Sequence, residues 1–229
     1  MSAPLSPPAR QRRKETRPQE LLDAALALFV EKGFAATRSE EVAQRAGVSK
    51  GTLYLYYPSK EELFKAVVRQ KLTQLIAEGV ELAQTFEGPS ADLIAALMDE
   101  WWRRVGETPA AGIHKVVIAE VRNFPDLAAF YAEEVILPAH ALFHFAVQRG
   151  IDRGEFRPVP VGDVCHALIA PIIFYALHRH SFGACPVHGA EMDYASSVRT
   201  HLDLMLKGLE VRDLAAADAL PARSAEPAR

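Results

Sequence analysis

Three helix-start signatures fall within one short stretch of this chain, and they constrain its fold more than any other feature. Thr16-Arg17-Pro18-Gln19, Thr37-Arg38-Ser39-Glu40 and Ser59-Lys60-Glu61-Glu62 each set a hydroxyl three residues ahead of a Glu or Gln. At that spacing side chain and backbone satisfy each other's orphan N–H groups at a helix start. Gly33 and Gly47 stand where the first two helices should stop, because glycine enters the left-handed position after a helix without steric cost. The pattern predicts a first helix opening at Thr16 with Pro18 in its first turn, and a second over Arg38–Ala46. Ser49 then caps a short third helix, Lys50–Tyr56, closed by Pro58, and a long fourth runs from Ser59 to about Thr85.

Two helices of two turns each cannot bury a core by themselves. The first helix therefore has to lend its stripe of Leu21, Leu22, Ala25, Leu28 and Phe29, which recurs at helical spacing. Ala43, Gly47 and Leu53 supply what a helix-turn-helix needs: a small residue at the approach, a glycine at the turn and an apolar anchor beyond it. With Val48, Leu53 and Tyr57 inward, Ser49, Lys50, Thr52, Tyr54 and Tyr56 are left to solvent or a partner. Tyrosines bury large area only against something; their hydroxyls suit phosphate oxygens and their rings suit sugars and thymine methyls. Gly51 leaves the helix start bare enough to approach a base edge or phosphate. Thr37, with Arg38 beside it, and Lys60 stand at the other two helix starts, placed to clamp flanking phosphates. Charge agrees: residues 1–80 hold thirteen Lys and Arg against nine Asp and Glu, whereas residues 81–229 hold thirteen against twenty.

Residues 16–65 closely resemble the DNA-binding domain of TetR/AcrR-type transcriptional regulators. The resemblance rests on Ala25, Leu28-Phe29, Lys32-Gly33-Phe34 and Ala36-Thr37, then on Val42-Ala43 and Ala46-Gly47-Val48-Ser49-Lys50-Gly51-Thr52-Leu53-Tyr54, and last on Tyr56-Tyr57 and Ser59-Lys60-Glu61-Glu62-Leu63. It implies a homodimer whose two third helices enter successive major grooves of a near-palindromic double-stranded operator. Ser49, Lys50, Gly51, Thr52 and Tyr54 would then touch bases or backbone, and Thr37, Tyr56 and Lys60 would hold phosphates. It also implies a repressor released by a small molecule bound in the C-terminal part. Leu55 departs from the family, which often has a polar or aromatic residue there.

From Ser90 onward the pattern predicts helices over 90–106, 109–123, 125–150, 160–181 and 190–212, with no sustained period-two alternation. The apolar stripes of the last two (Val161, Val164, Cys165, Leu168, Ile169, Ile172, Ile173, Ala176 and Leu177; Met192, Ala195, Val198, Leu202, Met205, Leu206 and Leu209) are broader than one small core needs. They suit a four-helix dimer interface. The remaining helices can enclose a ligand cavity with Trp101, Phe124, Phe143, Phe174 and Tyr175 as walls and His114, His144 and His178 as polar points. Trp102, Phe130, Tyr131, Phe145 and His140 are further candidates. Such a lining suits a hydrophobic or aromatic effector.

The chain is thus expected to be all-α, with a basic disordered arm over 1–15, a helix-turn-helix domain over 16–65, a helical effector-binding and dimerisation domain over 66–213 and a disordered tail over 214–229. No phosphate-loop, dinucleotide or zinc-protease motif occurs in the 229 residues, so neither an enzyme nor a cofactor is expected. His178, His180, Cys185 and His188 cluster in sequence, but without the second pair that a zinc site wants; no metal is expected. Two cysteines suit a reducing compartment. No signal peptide is recognisable, and the longest apolar stretch, Ala167–Leu177, contains Pro171 and falls short of the roughly twenty residues that span a bilayer. A cytoplasmic protein without a membrane partner is expected. The competing reading is a small-molecule or metal-binding protein whose helix-turn-helix is vestigial.

Overall fold

The computed structural model describes residues 9–184 and 192–211, with side chains from Arg17 onward. Among these residues the secondary structure is helical, with one isolated bridge between Phe156 and Glu210. Helix α1 spans Ala9–Lys32, α2 Ser39–Arg45, α3 Lys50–Tyr56 and α4 Lys60–Val68. A π turn, Arg69–Thr73, carries α4 straight into α5, Gln74–Thr85. Then follow α6, Ser90–Trp101, with a π turn over Trp102–Gly106, and α7, Gly112–Glu120, preceded by a single 3-10 turn. Helix α8, Pro125–Tyr131, joins α9, Leu137–Asp152, through a third π turn, Ala132–Ile136. Helices α10, Val161–Arg179, and α11, Tyr194–Leu209, complete the chain.

Of the four expected caps, Ser49 and Ser59 hold, whereas Thr16 and Thr37 do not. The Ser49 hydroxyl accepts from Thr52 N–H and the Ser59 hydroxyl from Glu62 N–H, both at 3.1 Å. At the second start Arg38, not Thr37, occupies the cap position, and its N–H donates to the Glu41 carboxylate at 3.3 Å. Helix α1 starts at Ala9, so residues 9–15 of the expected arm are helical and Pro18 lies inside the helix. The missing proline N–H removes one internal bond there without ending the helix. Gly33 and Gly47 adopt φ of +85° and +66°, the left-handed backbone that both helix ends require.

Two apolar cores form. The first is built on Leu21, Leu28, Phe29, Phe34, Val42, Leu53, Leu63 and Phe64, and it does not close at residue 65. It continues through Leu72, Leu75, Ile113, Val116, Val117, Leu127 and Tyr131 into the rear helices. The second gathers Leu93, Ile94, Leu97, Met98, Leu142, Phe143, Leu168, Ile172, Val198 and Leu202. Long-range bonds fasten the front to the rear: the Arg69 guanidinium grips the Glu134 carboxylate at 2.6 and 2.8 Å and stacks 5.0 Å from the Phe130 ring centroid.

Helix α10 extends past the apolar stretch marked in the sequence. By length and composition it is the one described helix able to cross a bilayer. Here Cys165, Leu168 and Ile172 seat it in the second core and Ala176 in the first, while Ala167, Ala170 and Phe174 lie open on its other face.

Candidate functional site

The first candidate surface is the outer side of α2 and α3. Leu53 is fully buried, as an anchor for α3 must be, and Ser49, Lys50, Gly51, Tyr54 and Leu55 are exposed. Leu55 is 79% exposed, a large apolar side chain offered to solvent on the very face where a partner would sit. The Ser49 and Thr52 hydroxyls lie 2.9 Å apart and rigidify the helix start. The Lys50 ammonium pairs with the Glu40 carboxylate and lies 5.7 Å from the centroid of the Tyr54 ring. That pairing holds the Glu40 carboxyl below its usual range, the hydrogen bond from Lys50 being the main cause. Arg38 is exposed at the start of α2. Two ion pairs, Arg45 with Glu31 and Lys32 with Glu41, lock α2 onto α1.

Three residues expected at phosphates are engaged within the protein itself. Thr37 is 1% exposed, and its hydroxyl donates inward to the carbonyls of Leu28 (3.2 Å) and Gly33 (2.7 Å). It satisfies orphan carbonyls at the end of α1, so its side chain is not offered to a phosphate. The Lys60 ammonium donates to the carbonyls of Phe34 and Ala35 at 2.9 and 3.1 Å and lies 4.5 Å from the Phe34 ring centroid. It fastens α4 to the turn ahead of α2 and has one N–H left over. Tyr56 is half-buried against the first core, not free on the surface.

The second candidate site is an apolar cavity of about 600 Å³ walled by α5, α6, α7, α9, α10 and the third π turn. Leu72, Leu75, Val117, Tyr131 and Val135 come to it from the first core, and Leu97, Met98, Leu142, Phe143 and Ile172 from the second. It therefore lies along the seam between the two. Each π turn adjoins it: Leu72 belongs to the first, Trp101 precedes the second, and Val135 and Ile136 belong to the third. Such turns widen a helix locally and recur at functional sites.

Polar groups on the wall are few. His114 is buried, with Nδ1 2.7 Å from the Tyr131 hydroxyl and Nε2 without a hydrogen-bond partner. Desolvation drives its pKa from 6.5 down to about 4, helped by repulsion from His180, and burial pushes the Tyr131 phenol up. The pair is neutral at physiological pH. Glu78 and Glu100 stand at the rim, both ion-paired with Arg104, and Glu100 also with Arg103.

Of the eight ligand residues expected, Trp101, His114 and Phe143 line this cavity. Phe124 does not; its ring packs 4.8 Å from that of Phe34, against the first core. His144 points outward from α9 beside the exposed Phe145. Phe174 is 55% exposed on the open face of α10. Tyr175 packs on the second core outside the lining, and His178 is bonded through Nδ1 to the Tyr194 hydroxyl at 2.9 Å. All three sit on the wrong side of α10, whose Ile169, Ile172 and Ile173 face the cavity instead. Tyr131 and His140, named more loosely, do line it. The aliphatic wall was missed because leucine and isoleucine stripes read the same whether they meet a neighbour or a void. Among the described residues no three His, Cys, Asp or Glu side chains converge as a metal site; Cys185 and His188 lie outside them.

Comparison with known proteins agrees with this geometry. Residues 21–67 match the family model for bacterial regulatory proteins of the tetR family, and residues 87–188 match that for the tetracyclin repressor-like C-terminal domain. The chain belongs to the TetR family of transcriptional regulators. It is 29% identical to the HTH-type transcriptional regulator YfiR of Bacillus subtilis over 157 residues, 68% of this chain and 75% of that protein. It is 28% identical to the HTH-type transcriptional repressor KstR2 of Mycolicibacterium smegmatis over 146 residues, 62% of this chain and 69% of that one. A solved structure of FadR from Bacillus subtilis in complex with stearoyl-CoA superposes with a TM-score of 0.66 at 18% identity, covering 84% of this chain and 99% of that one; at that identity the likeness is one of fold.

Proposed function

We propose that this regulator is a dimeric, operator-binding repressor released by a small apolar effector that enters the seam cavity. The observation that carries the reading is the double attachment of α7. At its start Gly112 packs so closely on Val30 of α1 that a Cβ there would come within 2.6 Å of both Val30 methyls. At its end the Glu120 carboxylate accepts from Ala35 N–H at 3.0 Å, in the turn that leads into α2. Between these grips His114, Val117 and Ile118 line the cavity. A molecule that displaces the middle of α7 acts on α1 and on the turn before α2. Effector binding then favours a dimer whose α3 helices no longer match groove spacing.

On the operator, Ser49, Lys50, Gly51, Thr52 and Tyr54 reach bases or adjacent backbone, while Arg38 and the remaining N–H of Lys60 hold phosphates. The stripes expected at a four-helix contact lie largely inside the second core (Cys165, Leu168, Ile172, Val198 and Leu202), so the surface left for such a contact is the opposite faces of α10 and α11, where Ala167, Ala170, Phe174 and Leu204 are exposed. The name of a relative supports the assignment: it is called a repressor. The test is binding to the DNA upstream of its own gene at fixed salt. A regulator should prefer it over random DNA by at least ~10³, and equal affinities would refute the reading.

A further inference from the structure

The cavity carries information about the charge of what fills it. Its lining contains no Lys or Arg. The two carboxylates at the rim, Glu78 and Glu100, are already matched by Arg104 and Arg103, so no unmatched positive charge is left on the wall for an anion. The polar side chains inside the rim are His114 and Tyr131, both buried and both neutral, and the half-buried His140, whose pKa is also lowered by desolvation. A phenol is a stronger acid than a neutral imidazole N–H, so the favoured arrangement has the Tyr131 hydroxyl donating to Nδ1 across the 2.7 Å contact. The proton of the neutral ring then sits on Nε2, a buried donor for which the described residues provide no acceptor. Buried donors are rarely left in that condition. An acceptor oxygen on a bound molecule completes it. The Trp101 ring, 5.7 Å from the His114 ring and on the same wall, supplies a flat apolar surface beside that oxygen.

We propose that the cavity selects an uncharged, mainly aliphatic molecule with one hydrogen-bond-accepting oxygen, such as an alcohol or ketone, seated on His114, and that it rejects the carboxylate of the same chain length. The proposal rests on the cavity being the effector site. A carboxylate would have to shed its hydration shell with no cation on the wall to replace it. The alcohol or ketone loses one hydrogen bond to water and regains it from Nε2.

The test uses decanol, methyl nonyl ketone and decanoate, titrated into the full-length protein by calorimetry at neutral pH, with operator release measured in parallel. The two neutral probes should bind at least tenfold more tightly than decanoate. Decanoate should gain on them as the pH is lowered and its carboxylate is protonated. His114→Phe should weaken the neutral probes severalfold and leave decanoate unchanged. Tyr131→Phe, which removes only a hydroxyl, provides the second variant and should weaken the neutral probes too. Decanoate binding as tightly as decanol overturns the charge selection but leaves the cavity as an effector site. No binding by any probe overturns both.

Discussion

The DNA-reading end and the cavity end of this molecule are built on opposite plans. At the reading end polar groups are paired: Thr37 with two carbonyls, Lys60 with two more, Lys50 with Glu40, Arg45 with Glu31. In the cavity a buried imidazole nitrogen lacks a partner, and two apolar cores meet without filling the space between them. A saturated region is stiff and moves as a body, whereas an underfilled one has more than one way to pack. Under the proposed function, this contrast is what lets a ligand with no contact to DNA reposition the reader. The packing least determined by the sequence is the packing a small molecule can decide.

The sharpest break between the two regions should come from the reading face. Replacing Lys50 and Tyr54 together by alanine should cut operator affinity by about a hundredfold or more, at ~1–3 kcal/mol for each side chain truncated. Both side chains are exposed, so the thermal midpoint and the response of the cavity to ligand should stay as they were. Gel-shift titration alongside calorimetric melting checks this.

The cavity end should answer to pH instead. The His114 pKa is depressed from 6.5 to about 4 by burial, so the unfolded chain takes up that proton first. The contribution to stability is complete above 6.5 and is lost as pH falls from there toward 4, amounting to about 3 kcal/mol. His140 and His180, also lowered by desolvation, act in the same direction. Urea unfolding across that window should show the loss, and His114→Phe should flatten its slope.

Two smaller effects concern the links between the regions. Glu120→Ala removes the acceptor for Ala35 N–H; it should cost about 1 kcal/mol of stability and blunt effector-driven release without changing effector affinity. Glu40→Gln frees Lys50 from its partner and removes a negative charge beside the DNA, which should raise operator affinity a few-fold and most at low salt.

What the sequence disclosed follows the same division. Caps and glycines act locally, so the helices, their breaks and the anchor Leu53 could be read directly. Of the residues expected on the open face of α3, Ser49, Lys50 and Tyr54 are exposed, whereas Thr52 and Tyr56 are half-buried and Leu55 is exposed beside them. Thr37 was misread because a hydroxyl at a helix boundary can serve the helix that follows or the one before it, and only tertiary closure selects the carbonyls of Leu28 and Gly33. The cavity was legible in its helices and in Trp101, His114 and Phe143, but not in its outline. Which face of α10 turns inward depends on how α6, α7 and α9 pack together, so Phe174 and Ile173 could not be told apart by spacing. The π turns left no mark in composition at all.

The central claim is that filling the seam cavity, by whatever means, loosens the grip on DNA. Val117 sits mid-way along α7 with its side chain on the cavity wall, so Val117→Trp places the filling there with no ligand needed. The direct measurement is operator affinity of this variant with its helical content and melting cooperativity verified. The account predicts at least a tenfold weaker complex in a protein that remains folded and dimeric; an unchanged operator affinity in that folded variant would contradict it.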